Sequence, residues 1–154
     1  MKKIMVLNGP NLNLLGTREP AQYGYETLAD VEVMCRSMAA QYGLEVDFRQ
    51  SNHEGDLIDA IHQSGKEVAA GESLGVVFNP GAYTHTSIAL HDAIKGADVP
   101  VIEVHISNVH AREAFRHHSY ISPVASGILV GLGVQGYVLG IQALAHKRGL
   151  AKLD

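Results

Sequence analysis

Glu103 and His105 stand two positions apart in the run Val99-Pro-Val-Ile-Glu-Val-His-Ile106. On an extended strand that spacing puts both side chains on one face. A carboxylate beside an imidazole favours the imidazolium, which equips His105 as a general acid near neutral pH. The plainer alternative is an ion pair that ties down a strand end. Arg18 and Tyr23 share the segment Thr-Arg-Glu-Pro-Ala-Gln-Tyr. A free phenol titrates near pH 10, so ionising it at pH 7 costs roughly 4 kcal/mol. A guanidinium in a closed, water-poor site offsets that cost, and Arg18 is the only cation close to Tyr23 in sequence. Taken alone, a loop tyrosine is more often a surface contact. Asn79-Pro-Gly-Ala82 is a tight turn before a helix that Thr84 or Thr86 can cap, with His85 opening it. Its first amides either hold an anion or oxyanion or simply form a capped turn. His91 and Asp92 lie further along, where a core or interface role is the plain expectation.

These residues need a frame, and the hydrophobic pattern supplies one. Ile4–Leu7 is a short apolar run stopped by Asn-Gly-Pro, which predicts a buried strand. Residues 8–25 show no periodicity; a connection of that length is usually a lid or binding loop. Leu28, Val31, Met34, Cys35, Met38 and Ala39 recur at helical spacing, with Thr27 and Asp30 marking an N-cap and Gly43 a stop. Residues 44–48 predict a second strand, and a second helix begins near Glu54. A third strand follows at 74–78, a third helix at 86–94 and a fourth strand at 99–106. Residues 111–117 read as a short helical turn, 128–130 as a fifth strand and 134–147 as a last helix. Five strands alternating with helices predict an α/β domain with a five-stranded parallel sheet and helices on both faces, the flavodoxin-like arrangement. One domain is expected over residues 1–154. In such a sheet ligands bind beyond the carboxyl ends of the strands. There the chain places Asn8, Asn11, Asn13, Asn52, Asn79, Tyr83, His85, Ser107 and Asn108. The edge is polar with few charges, which fits a small polyhydroxylated molecule bearing a carboxylate.

Composition removes several alternatives. The chain is 46% hydrophobic and 18% charged, which excludes a disordered or fibrous protein. A net charge of −4 and thinly spread lysines and arginines speak against nucleic acid as partner. With Cys35 alone, neither a disulfide nor a thiolate zinc cage can form within the chain. The apolar stretch after Lys2 and Lys3 is too short for a signal segment, and no stretch is long enough for a membrane span, so the cytoplasm is the expected compartment. Gly131-Leu-Gly-Val-Gln-Gly136 matches a dinucleotide fingerprint, but it opens the last unit. No strand follows to bring a ribose-binding acid, so close helix packing is the expected role of its glycines. His117-His118 lacks the surrounding ligand pattern of a metal site, and no metal or other cofactor is expected. Lys2, Lys3, Lys66, Lys95, Lys147 and Lys152 avoid the predicted site edge, which argues against Schiff-base chemistry. Rival classes are a phosphate- or flavin-binding protein and a non-catalytic oligomeric scaffold. The loop after the first strand lacks the Ser- and Thr-rich cradle of the former.

Four segments, 9–24, 50–61, 79–94 and 102–127, resemble type II 3-dehydroquinate dehydratase in order and spacing. The likeness runs from residue 4 to about residue 141, with Ile106 where many members carry leucine. It implies reversible anti elimination of water from 3-dehydroquinate to give 3-dehydroshikimate through an enolate. It implies Tyr23 as the base, Arg18 as the group that holds it ionised, His105 as the acid and Glu103 as its orienter. Asn11 would hold a water at the enolate oxygen. Asn79, His85, the backbone amides of Ile106 and Ser107, and Arg116 would bind substrate, with Asp92 reaching a neighbouring subunit's site. The family's assembly is a homo-dodecamer, a tetramer of trimers.

Overall fold

The computed structural model describes residues 1–17 and 19–154, with the side chains of all of these except Gln22 and Tyr23. Five strands form one parallel sheet: β1 (Lys3–Asn8), β2 (Glu45–Gln50), β3 (Ser73–Asn79), β4 (Val101–His105) and β5 (Gly127–Val130), in the order β2-β1-β3-β4-β5. The register pairs Asn8 with both Gln50 and Asn79, and His105 with Val130. The carboxyl ends therefore lie in one row. The order reverses between β1 and β3, so the loops leaving these two strands diverge and open a crevice.

Four long helices cover the sheet: α2 (Leu28–Ala40), α3 (Glu54–Ala69), α4 (Ile88–Ala97) and α5 (Gln135–Lys147). A fifth, α1 (Pro20–Tyr23), is a single turn. α2 and α5 pack together on one face with Ile4, Val6, Val77, Ile102 and Val104. α3 and α4 cover the other face with Met5, Leu7, Val76, Phe78 and Val101. Each fully buried aliphatic side chain contributes about 1.5–3 kcal/mol, so two such layers hold the sheet without covalent staples. β3 is buried along its whole length, as its continuous apolar run requires. Cys35 is wholly buried in the first layer, and burial pushes its thiol up to about 12. Thr27 caps α2 in a reciprocal box: its side chain accepts from the Asp30 amide and Asp30 accepts from the Thr27 amide.

The structure revises several local expectations. The stretch 8–25 holds a 3-10 turn (Leu12–Leu14) and α1, stapled by the Leu15–Leu12 and Gly24–Pro20 amide bonds. Neither Thr84 nor Thr86 caps α4. Ser87 does, accepting from the Leu90 amide at 2.9 Å, because residues 81–85 close into a 3-10 turn of their own. His85 ends that turn instead of opening the helix. The predicted turn at 111–117 is two 3-10 turns, Val109–Ala111 and Ala114–Arg116. The glycines after β5 do what a tight turn needs. Gly131 and Gly133 have φ of +82° and +61°, and a Cβ on Gly136 would stand 3.0 Å from Val104 Cγ1.

Candidate active site

Period-two geometry decides which strand-end residues meet. Val101, Glu103 and His105 alternate with Ile102 and Val104, so they project toward the α3/α4 side. Asn8 and Asn79 fall in phase with Val6 and Val77 and project toward α5. Loop residues must bridge the two sets. Gly9 lets them approach: a Cβ there would collide with the Pro80 carbonyl oxygen, so only glycine brings the loop after β1 against the loop after β3.

The result is a crevice cavity of about 80 Å³ beyond β1, β3 and β4. Asn11, Asn79, His85, His105, Ile106, Ser107 and Arg116 line it, with Pro10, Leu12 and Gly81 between them. A second, wider cavity of about 600 Å³ shares Ile106 and Ser107 and is bordered by Ala21, Gly24 and Glu26 of the first loop. The segment around α1 thus lies beside the end of β4. Arg18 lies outside the described residues, as does the Tyr23 side chain.

Glu103 is 1% exposed and lies behind His105. Its Oε2 meets His105 Nε2 at 2.5 Å and accepts from Ser119 Oγ at 3.0 Å, with Thr84 Oγ1 at 3.2 Å. Its Oε1 accepts from Ser122 Oγ at 2.6 Å. Burial alone would raise the carboxyl's pKa; the His105 bond and charge and the serine hydroxyls outweigh it and hold Glu103 below its ordinary range. Because Nε2 is committed to Glu103, Nδ1 is the ring nitrogen left for a bound molecule. His85 is fixed differently. Its Nδ1 lies 2.8 Å from the His118 carbonyl, which only accepts, so Nδ1 carries the proton. Burial, with the charges of His105 and Arg116, lowers its pKa, and the neutral ring offers Nε2 as an acceptor.

Asn11 sits in the left-handed region at φ +68°, and its amide donates to Asn52 Oδ1 at 3.0 Å. Asparagine tolerates that conformation better than most residues. Arg116 is oriented by Glu113, with Nε 2.9 Å from Oε2, and brings positive charge to the cavity beside Ser107. Ser107 Oγ accepts from Arg112 Nη1 at 3.3 Å. Asp92 stands apart. It is on α4, 72% exposed in its side chain and paired with His91 at 3.1 Å, so a core role is ruled out. Among the described residues no group of three or more His, Cys, Asp or Glu side chains could hold a metal ion.

Sequence reasoning missed the partners of Glu103. A buried carboxylate demands donors, yet Ser119 and Ser122 lie in an aperiodic stretch that gives no sign of where it folds. It also missed Tyr137, whose hydroxyl donates to Asn8 Oδ1 at 2.7 Å and accepts from Asn79 Nδ2 at 2.9 Å. The available signal was two asparagines occupying core-facing strand positions.

A doubly wound, flavodoxin-like sheet with a carboxylate-backed histidine and a polar crevice at its switch point defines an α/β enzyme that acts on a small polar molecule. Residues 2–145 match the family model described as dehydroquinase class II. The 3-dehydroquinate dehydratase of Marinomonas sp. (strain MWYL1) is 80% identical over 147 residues, covering 96% of this chain and 98% of that protein. That of Variovorax paradoxus (strain S110) is 76% identical, covering 94% and 99%. Among solved structures, the type II dehydroquinase from Propionibacterium acnes superposes with a TM-score of 0.87 at 43% identity, covering 95% of this chain and 97% of that one. The one from Butyrivibrio crossotus DSM 2876 gives 0.88 at 45%, covering 93% and 97%. The chain belongs to the class II dehydroquinase family, the type II 3-dehydroquinate dehydratases, which are hydro-lyases.

Proposed function

We propose that the chain catalyses the reversible anti elimination of water from 3-dehydroquinate, giving 3-dehydroshikimate through an enolate, in aromatic amino acid biosynthesis or quinate breakdown. Tyr23, held ionised by Arg18, takes the C2 proton beside the ketone. The electron pair moves into the enolate, whose oxygen is met by a water on Asn11. Collapse of the enolate forms the C1–C2 double bond. The C1 hydroxyl leaves as water with a proton from His105, which Glu103 orients. Such a reaction needs a base, an enolate stabiliser and an acid, each of which the chain supplies once. Asn79 and His85 bind ring hydroxyls, and the Ile106 and Ser107 amides with Arg116 take the carboxylate. The observation that carries the reading is the single crevice lined by Asn11, Asn79, His85, His105, Ser107 and Arg116, with buried Glu103 behind His105. No lysine is among its lining residues, which supports a route without an imine.

The chain acts as a cytoplasmic homo-dodecamer of four trimers, in which Asp92 reaches the neighbouring subunit's site. Exposed Ile88 on the same helix and exposed Phe115 and Leu132 support burial against other copies. No described helix is long and apolar enough to cross a membrane.

The test is direct. The product is a conjugated enone carboxylate, so purified protein added to 3-dehydroquinate produces a rising near-ultraviolet absorbance. Tyr23→Phe removes one hydroxyl and nearly abolishes that rise while the fold persists. A flat trace from folded wild-type protein refutes the activity, and wild-type turnover in Tyr23→Phe refutes the base.

A further inference from the structure

We propose that Tyr137 and Asn8 are positioning residues for Asn79, a buried hydrogen-bonded chain that sets which end of the Asn79 carboxamide meets the ligand. The inference rests on the reading of Asn79 as a ligand contact.

The polarity of the chain follows from its far end. Asn8 Nδ2 donates to the Arg49 carbonyl at 3.1 Å, which turns Asn8 Oδ1 toward Tyr137. The Tyr137 hydroxyl must then donate to that oxygen, at 2.7 Å. Its only hydrogen spent, the phenol oxygen can accept and does so from Asn79 Nδ2 at 2.9 Å. Asn79 Oδ1 is left to take the Gly81 amide at 3.1 Å. Each link dictates the next. The second hydrogen of Asn79 Nδ2 is the donor that remains for a hydroxyl oxygen in the crevice.

The chain is costly as mere filling. Asn8 and Tyr137 are wholly buried and Asn79 is 3% exposed, all in the layer of Val6, Val77 and Ile141. Apolar side chains of similar shape would serve the fold about as well, since a satisfied buried hydrogen bond gains little over a well-packed apolar replacement. The burial also raises the Tyr137 phenol above its ordinary value, which keeps the hydroxyl protonated as a donor. What the polar chain adds is a fixed amide at the cavity wall.

The experiment is a double-mutant cycle on steady-state kinetics with 3-dehydroquinate, using wild type, Asn79→Ala, Tyr137→Phe and the double variant. Tyr137→Phe raises KM about five-fold, the factor for one neutral hydrogen bond, and leaves kcat within about two-fold. In the Asn79→Ala background it raises KM no further. An unchanged KM in Tyr137→Phe overturns the inference, as does an equal rise in both backgrounds, the mark of general loosening. Asn79→Ala with wild-type KM and kcat refutes instead the reading of Asn79 as a ligand contact. If Tyr137→Phe does not fold by circular dichroism, Asn8→Ala cuts the same chain and is judged by the same outcomes. Where Asn79→Ala turns over too slowly for a KM, calorimetric dissociation constants for 3-dehydroquinate replace it.

Discussion

Replacing Glu103 with glutamine keeps the side chain's shape and removes its charge. The amide can then satisfy only one orientation. His105 and Ser119 both bring hydrogens to Oε2, so the glutamine oxygen must stay there and its NH₂ must face Ser122 Oγ, 2.6 Å away in the wild type. Ser122 turns to accept, and the His105 bond becomes neutral on the acceptor side. A charge-assisted hydrogen bond contributes about 1.5–3 kcal/mol against about 1 for a neutral one. The difference at His105 is therefore about 0.5–2 kcal/mol, or roughly 2- to 30-fold in kcat if Glu103 acts through His105. KM should barely move, because Glu103 does not line the crevice. The same exchange lowers stability by about 1–2 kcal/mol, since relief of the carboxylate's desolvation partly offsets the two weakened bonds. The sign with pH is fixed. Glu103 titrates below its ordinary value of 4.5, so its stabilisation is present above that value and disappears as pH falls through the lower folded one. The gap between wild type and Glu103→Gln in urea unfolding should be full at pH 7 and shrink on acidification past pH 4.5. Absorbance kinetics and urea titrations check both numbers. A folded Glu103→Gln with kcat within about two-fold of wild type would refute the orienting role. A stability gap that does not change with pH would refute the assignment of an ionised, stabilising carboxylate.

Sodium borohydride added with 3-dehydroquinate should leave activity intact, because no lysine lines the crevice to form an imine; inactivation with a mass adduct on lysine would overturn this. His105→Ala should lose about 10²–10⁴ in turnover, as expected for a missing general acid, while C2 hydrogen exchange into solvent survives. Loss of both turnover and exchange would place His105 before proton abstraction instead of after it.

The alternation of apolar runs with helical periods was enough to read a five-stranded parallel sheet, because periods of 2 and 3.6 are set by local backbone geometry. The same locality made Glu103 and His105 legible as a same-face pair, and the capping box at Thr27 and Asp30 readable from spacing. The four motifs gave the family and its candidate site residues. Local signals failed where contacts are distant. Thr84 looked like a cap for α4, yet its hydroxyl lies against Glu103 and Ser119, and Ser87 has the capping role. Nothing in Ser119 or Ser122 announces that they close around a carboxylate many residues earlier. Asn79 and Tyr137 are 58 positions apart, and Asn8 and Tyr137 are 129 apart. Residue types by themselves placed Asn8 and Asn79 at the carboxyl ends of the first and third strands; that both are buried, where a polar group cannot go unpaired, is a tertiary fact. Only the order β2-β1-β3-β4-β5 decided which partners they found. It brings β1, β3 and α5 together, and side chains that far apart in the chain meet through tertiary packing alone.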